Sequence, residues 1–203
     1  MALTRLGPNQ AINLSTNTTG NLNLTSQVTG ALPVANGGTA LTSGFVNGST
    51  ALNEADQWRL STDYSNASNG VNEVLTSNWE RNDTDFAKIG TGLTQSSGVF
   101  SFPSTGIYLI QCQSFISASS ATSAAHLTIL LTTDDGTYNG RAYVQVGCDT
   151  NRGDAMMCQT IFEVTSTSNC KFKIQTNGGT YITWHGHSSN NQTTVTVARL
   201  GDT

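Results

Sequence analysis

One pair of closely spaced metal-ligand side chains, His185 and His187, occurs in the run WHGH at residues 184–187. Residues two apart on an extended strand project to the same side, and an intervening glycine lets another backbone approach closely. Two imidazoles from one chain are too few for a closed site. Three chains around a threefold axis would supply six nitrogens, an octahedral set suited to a first-row transition metal. The pattern predicts either an axial metal ion or two partly exposed loop histidines beside an interfacial tryptophan, Trp184.

The other candidates for chemistry are the four cysteines, Cys112, Cys148, Cys158 and Cys170. If residues 141–164 form a symmetric hairpin centred on Gly153, Cys148 lies directly opposite Cys158, and the two-residue alternation of a strand turns both thiols to the core. Such a pair forms either a cross-strand disulfide or two buried free thiols, which behave as small apolar side chains.

Motifs that mark common enzymes are absent from the sequence. It contains no G-x-S-x-G elbow, no phosphate-binding P-loop, no G-x-G-x-x-G and no H-E-x-x-H. Serine, histidine and aspartate all occur, but no spacing in the sequence places the three together. We therefore expect a protein that is not an enzyme and that has no catalytic residues.

The composition excludes several classes of protein. Of the 203 residues, 36% are apolar and 11% charged, both below the usual values of about 45–50% and about 25%. Only three lysines occur, which argues against a helical bundle, and no run approaches the roughly 20 apolar residues of a membrane span. The net charge of −4 argues against nucleic-acid binding, which requires a basic stripe.

Strand-length segments rich in β-branched and aromatic residues recur in the second half of the chain. They are separated by turn sequences such as DDGTYNG and TNGG, a spacing typical of an antiparallel sandwich or barrel. The predicted strands are residues 107–117, 126–133, 141–148, 156–164, 170–175 and 193–200. The fold class predicted from this pattern is all-β.

Charge divides the chain into three predicted parts. Residues 6–53 and residues 89–133 contain no Asp, Glu, Lys or Arg. Because exposed surfaces normally carry interspersed charges, such neutral stretches indicate surface that faces other protein. We predict an extended N-terminal attachment arm over residues 1–44, a collar or linker over residues 45–83, and a head domain over residues 84–203.

The run GVFSFPSTGIY at residues 98–108 resembles the G-x-F-x-x-P-x-x-G-x-Y stretch of the complement-component-one-q globular head. That family shares an antiparallel jelly roll with tumour necrosis factor and assembles as trimers. The resemblance implies a trimeric jelly roll with Phe100, Phe102, Tyr108 and Trp184 in its core or trimer contact. The final segment, TTVTVARL, departs from the family because it lacks the usual phenylalanine.

The run ANGGT at residues 35–39 and the segment over residues 79–108 are similar to tail-fibre and appendage proteins of marine bacteriophages. This resemblance implies a non-enzymatic virion protein, a homotrimer that assembles in the host cytoplasm and displays its head at the particle surface. Capsid decoration or a short surface appendage is the first expectation. A tail-fibre tip for host adhesion, with a host surface glycan as partner, and a soluble carbohydrate-binding module are alternatives. We expect neither nucleic-acid binding nor membrane insertion.

In this interpretation the arm binds capsid or tail proteins. It contains two similar octapeptides, NLSTNTTG at residues 13–20 and NLTSQVTG at residues 23–30, too few repeats for a solenoid. The expected docking residues are its apolar side chains, Leu6, Ile12, Leu14, Leu24, Val28 and Leu32. A flexible linker is the alternative for the same composition. Assembly in a reducing cytoplasm also favours free thiols at Cys148 and Cys158 over a disulfide.

Overall fold

The computed structural model describes residues 52–203, apart from the Ser123 side chain. These residues form fourteen strands, and no helix occurs among them. The strands are β1 (Ala55–Leu60), β2 (Tyr64–Ser65), β3 (Glu73–Val74), β4 (Trp79–Arg81), β5 (Lys88–Ile89), β6 (Thr94–Ser96), β7 (Val99–Ser101), β8 (Gly106–Ala118), β9 (Thr122–Thr132), β10 (Asn139–Cys148), β11 (Arg152–Val164), β12 (Lys171–Asn177), β13 (Ile182–Trp184) and β14 (Thr194–Gly201). In this part of the chain, no helix is long and apolar enough to cross a membrane.

The strands form two antiparallel sheets. The first sheet has eight strands in the order β2-β13-β8-β14-β1-β4, with β11 paired to β8 and β5 paired to β1. The second sheet has six strands in the order β10-β9-β12-β7-β6, with β3 paired to β12. β11 follows β8 along its whole length, whereas β14 and β13 pair with successive parts of its other edge. Within residues 52–203 the two sheets form a sandwich. This architecture confirms the predicted all-β class.

Regular alternation of buried and more exposed residues explains why these segments form strands. Along β8 every second side chain is buried, from Tyr108 to Ile116, and the residues between them lie on the outer face of the first sheet. β12 alternates in the same way, with Phe172 and Ile174 in the core and Lys171 and Lys173 outside. A period of two is what a sheet with one packed face and one outer face requires.

An aromatic cluster occupies the core between the sheets. Phe100 stacks on Phe172 with ring centroids 4.7 Å apart, and Trp58 and Trp79 meet the edge of Phe100 at 5.9 and 5.2 Å. The four residues that the resemblance implied are all buried within a single chain: Phe100, Phe102, Tyr108 and Trp184. Trp184 donates its indole N–H to Asn66 Oδ1 at 2.9 Å. The structure therefore places these residues in the core and not on a surface for other chains.

Residues 52–83, which we predicted as part of a collar, contribute strands to both sheets. β1 lies between β14 and β4 in the first sheet, and β3 pairs with β12 in the second. The charges that suggested an exposed linker are buried instead, since Asp56 is 2% and Arg59 1% exposed. The predicted arm with its docking residues, and residues 45–51 of the predicted collar, lie outside the described residues.

The expected hairpin over residues 141–164 is wrong, because β10 and β11 belong to different sheets. β10 pairs with β9, whereas β11 pairs with all of β8, so the chain crosses between the sheets over residues 149–151. Cys158 consequently lies opposite Cys112, and Cys148 opposite Thr122. A short polar turn normally joins paired strands, but here β10 pairs with the 11-residue β9, and β11 pairs with the equally long β8 over all 13 residues.

Candidate functional site

Exposed apolar side chains cluster on the outer face of the first sheet, along β8 and β11. Phe115 is 40%, Met157 51% and Ile161 64% exposed. The strand register places Met157 opposite Gln113, Ala155 opposite Phe115 and Ile161 opposite Leu109. We call this surface the apolar face; its members are Leu109, Gln111, Gln113, Phe115, Ala155, Met157, Gln159 and Ile161.

The apolar face carries no charged side chain. β8 comes from the neutral stretch over residues 89–133, and the alternate residues of β11 between Ala155 and Ile161 are neutral as well. A cleft of about 500 Å³ lies within this face, between Phe115, Met157 and Gln192. Because solvent-exposed surface normally mixes both signs of charge, a neutral apolar surface with a cleft is typical of a protein-binding site.

A chain of hydrogen bonds runs beside the apolar face and involves Asp63, His185 and Ser117. His185 Nδ1 lies 3.3 Å from Asp63 Oδ1, and His185 Nε2 lies 2.8 Å from Ser117 Oγ. The His185 ring also stacks on Phe115 with centroids 5.1 Å apart. The order of groups is that of a serine-hydrolase triad. The sequence did not indicate it, because the three residues come from separate segments.

The backbone beside this chain of hydrogen bonds also holds the His185 ring in place. The two backbone N–H groups beside the imidazole are committed elsewhere, that of His185 to the Phe115 carbonyl at 3.0 Å and that of Gly186 to Asp63 at 2.9 Å. The hydrogen bonds therefore fix the His185 ring against Phe115 and with it one end of the apolar face.

Comparisons with known proteins found similar folds among solved structures. No family model matches the sequence, and no curated protein matches it. Among solved structures, murine APRIL at pH 5.0 is similar with a TM-score of 0.54 and 11% identity, over 72% of this chain and 98% of that one. Murine APRIL at pH 8.0 and at pH 8.5 gives TM-scores of 0.51 and 0.50, each at 12% identity over 72% of this chain and 98% of that one.

The fold is a tumour-necrosis-factor-type jelly roll. This confirms the antiparallel jelly roll that the motif at residues 98–108 implied, and the low identity restricts the conclusion to the fold. In this jelly roll the motif supplies β7, the turn that follows it and the start of β8. Its Tyr108 hydroxyl donates to the Ser104 carbonyl at 3.0 Å, which ties the turn to β8.

The two histidines of the predicted metal site lie in a loop of the jelly roll, because β13 ends at Trp184. Both ring nitrogens of His185 are engaged, by Asp63 and by Ser117. His187 is exposed, and its Nδ1 accepts the Ser189 N–H at 2.9 Å. Among residues 52–203 no group of three or more His, Cys, Asp or Glu could hold a metal ion. An axial metal ion would need histidines from three chains, so this site stays a prediction. To bind such an ion, His185 would have to give up its hydrogen bond to Asp63 or to Ser117.

All four cysteines of the jelly roll are free and buried. Burial raises the pKa of the Cys112 thiol well above its usual range and that of Cys158 to about 11. The Cys148 pKa is raised as well, first by burial and then by the nearby charge of Asp154. Because the thiolate is the reactive form, these thiols are inert at neutral pH.

We expect a thiol-reactive chromogenic reagent to label no cysteine in the native protein at neutral pH and all four after unfolding in guanidinium without reductant. Burial blocks access to all four thiols, and the raised pKa keeps those of Cys112, Cys148 and Cys158 protonated. The matched control is the same protein unfolded with reductant, which should give the same count. A count that rises when reductant is added would show a disulfide and contradict the free thiols.

Two buried charges on β1 were missed by the sequence analysis. Asp56 accepts from the Arg81 guanidinium at 3.1 Å and from the Leu93 N–H at 2.7 Å. Arg59 donates to Glu80 at 2.7 Å and to Asn82 at 3.0 Å. No signal in ADQWRL indicated this burial, because the segment does not alternate regularly and charged residues within a short run normally indicate an exposed segment.

Proposed function

We propose that this protein is a non-enzymatic structural component of a phage particle, a homotrimer whose jelly roll is displayed at the particle surface. The observation that carries the proposal is the apolar face, an uncharged surface on the first sheet that a second and a third copy would cover. The similarity of residues 35–39 and 79–108 to phage appendage proteins supports the virion assignment. Assembly takes place in the host cytoplasm.

Self-association is the use that best fits the apolar face. Full burial of a side chain such as Phe, Met or Ile is worth about 1.5–3 kcal/mol relative to exposure. Phe115, Met157 and Ile161 lie on neighbouring strands, so one contact would remove all three from water. The tumour-necrosis-factor-type fold supports a closed trimer, since the family that the motif resembles assembles in this way.

Attachment is assigned to the predicted arm, residues 1–44, which binds capsid or tail proteins of the particle. Capsid decoration or a short surface appendage is the first candidate. A tail-fibre tip for host adhesion is the second candidate. It is favoured by one observation, a cleft with aromatic and polar side chains around Tyr143 on the second sheet.

We expect deletion of residues 1–30 to leave the jelly roll folded and trimeric but to abolish incorporation into particles. The aromatic core and all described strands lie beyond the deletion, so folding is unaffected. Incorporation is measured as the ratio of this protein to the major particle protein after gradient purification. The matched control replaces only the five docking residues within the deletion, Leu6, Ile12, Leu14, Leu24 and Val28, with serine and should lose incorporation equally. Truncated protein that still co-purifies at full ratio would assign docking to another part of the chain.

A further inference from the structure

A β-bulge on the second sheet presents one arginine to solvent. Gly140 pairs with Leu130 and Ala142 with Ile129, so Arg141 is an extra residue without a partner in the ladder. Bulges of this kind re-aim a side chain and are common beside binding sites. Arg141 is exposed, and no ion pair within the described part of the chain involves it.

The two lysines on the same outer face are already engaged. The Lys171 ammonium forms an ion pair with Asp135, and the Lys173 ammonium lies 3.7 Å from the centre of the Tyr138 ring. Arg141 is therefore the uncommitted cation on this side of the described jelly roll. A generally basic surface does not explain this exposed Arg141, because the whole chain has a net charge of −4.

Arg141 lines a cleft of about 240 Å³ that also contains an exposed aromatic ring. Tyr143 is 67% exposed, and its ring centroid lies 6.1 Å from that of His126. The amide side chains of Asn72 and Gln175 also line the cleft, and the Asn72 Oδ1 accepts a hydrogen bond from the Asn177 amide at 2.9 Å, which leaves the Asn72 amide N–H groups for a ligand. Clefts for drug-sized ligands measure about 300–1,000 Å³, so this one suits a single ring-sized unit.

This combination of groups fits one class of ligand. An exposed tyrosine offers a flat apolar surface with a polar end, and amide side chains both donate and accept hydrogen bonds to hydroxyls. A guanidinium binds a carboxylate through two parallel hydrogen bonds. A sugar ring with several hydroxyls and one carboxylate uses all of these groups at once, whereas an apolar ligand would leave the amides and the guanidinium unpaired.

We propose that this cleft binds a carboxylated monosaccharide unit of a host surface glycan. The sugar ring lies against Tyr143, its carboxylate binds Arg141, and its hydroxyls contact Asn72 and Gln175. The cleft lies on the outer face of the second sheet, and Arg141 is at its edge, where it also lines a neighbouring cleft with Ile161 of the apolar face. The biological role of the cleft rests on the proposed function, because only a displayed jelly roll would meet a host glycan.

Saturation-transfer NMR on the full chain tests this binding with four sugars at equal millimolar concentration and ionic strength. The probes are D-galacturonate and D-glucuronate, with D-galactose and D-glucose as their neutral counterparts. We expect clear transfer to at least one uronate and several-fold weaker transfer to both neutral sugars. Loss of the charge-assisted contact in Arg141→Gln, or of the ring in Tyr143→Ala, should weaken uronate binding about tenfold or more.

The matched control is Arg152→Gln, which removes an exposed arginine from β11 on the first sheet and should leave the uronate signal unchanged. Circular dichroism and thermal melting establish that all three variants fold. Equal transfer to acidic and neutral sugars, no transfer to either uronate, or a full signal in Arg141→Gln overturns the proposal. Particle incorporation of the native protein and of Arg141→Gln is measured separately, and both should be incorporated. Native protein that is incorporated but binds no uronate contradicts only the saccharide site, and native protein that binds uronate but is absent from particles contradicts only the proposed function.

Discussion

Substitution of Ile161 by arginine is expected to convert the proposed homotrimer into monomers without unfolding the jelly roll. Ile161 is 64% exposed, so the longer side chain is accommodated in the isolated chain. In the assembly, burial of an unpaired guanidinium costs several kcal/mol, and threefold symmetry repeats that cost at every contact. Size-exclusion chromatography with light scattering at micromolar concentration should give three times the 21.4 kDa chain mass for the native protein and one chain mass for the variant.

The matched control is Tyr143→Arg, which places the same charge on the outer face of the second sheet. Tyr143 is as exposed as Ile161, at 67%, but lies outside the apolar face. This variant should remain trimeric. A trimeric Ile161→Arg variant would show that the chains associate through another surface. Native protein that is monomeric at micromolar concentration would contradict the homotrimer and favour the soluble carbohydrate-binding module.

The sequence predicted strands where β-branched and aromatic residues recur between turns. β12 alternates in sequence and in burial, whereas β8 was expected as a strand from its residue types and alternates only in burial. The motif at residues 98–108 added the jelly-roll type through its resemblance to a known family. The neutral stretch over residues 89–133 supplies β8 and hence half of the apolar face.

Long-range pairing was not predictable in the same way. The short turn over residues 149–151 resembles a hairpin turn, yet β10 and β11 pair with strands from other parts of the chain. The hydrogen bonds of His185 with Asp63 and Ser117 likewise depend on how three segments meet. Which strands pair depends on how much apolar surface the whole sandwich buries. A local sequence pattern contains no information about that buried surface.

Arg59 illustrates the limit most clearly, because its burial depends on partners far along the chain. It is 1% exposed and donates to five groups, the side chains of Glu80, Asn82, Asp83 and Thr84 and the Ser188 carbonyl. These groups come from the β4 region and from the loop after β13. A charged residue in a short mixed run is normally exposed, whereas this one joins the β1–β4 pair to that loop.

We therefore expect Arg59→Met to lower the free energy of unfolding by about 3 kcal/mol, because it leaves buried acceptors without their donor. The side-chain volume is nearly kept, so the loss reports the missing hydrogen bonds. In the variant, the largely exposed Asp83 carboxylate can bind water in place of the guanidinium. The Asn82 side chain is 2% exposed and cannot. Guanidinium unfolding is measured in the Ile161→Arg background, where dissociation does not contribute to the measured stability.

The matched control in that background is Lys171→Met, which breaks the ion pair with Asp135 on the outer face of the second sheet. Solvent screens that pair, so its loss should cost less than about 1 kcal/mol. Equal effects of the two substitutions would mean that the Arg59 hydrogen bonds add nothing beyond a surface ion pair. A large effect of Arg59→Met alone means that this side chain adds substantially to the β1–β4 pairing in holding residues 80–84, and limited proteolysis of the variant should then begin in that segment.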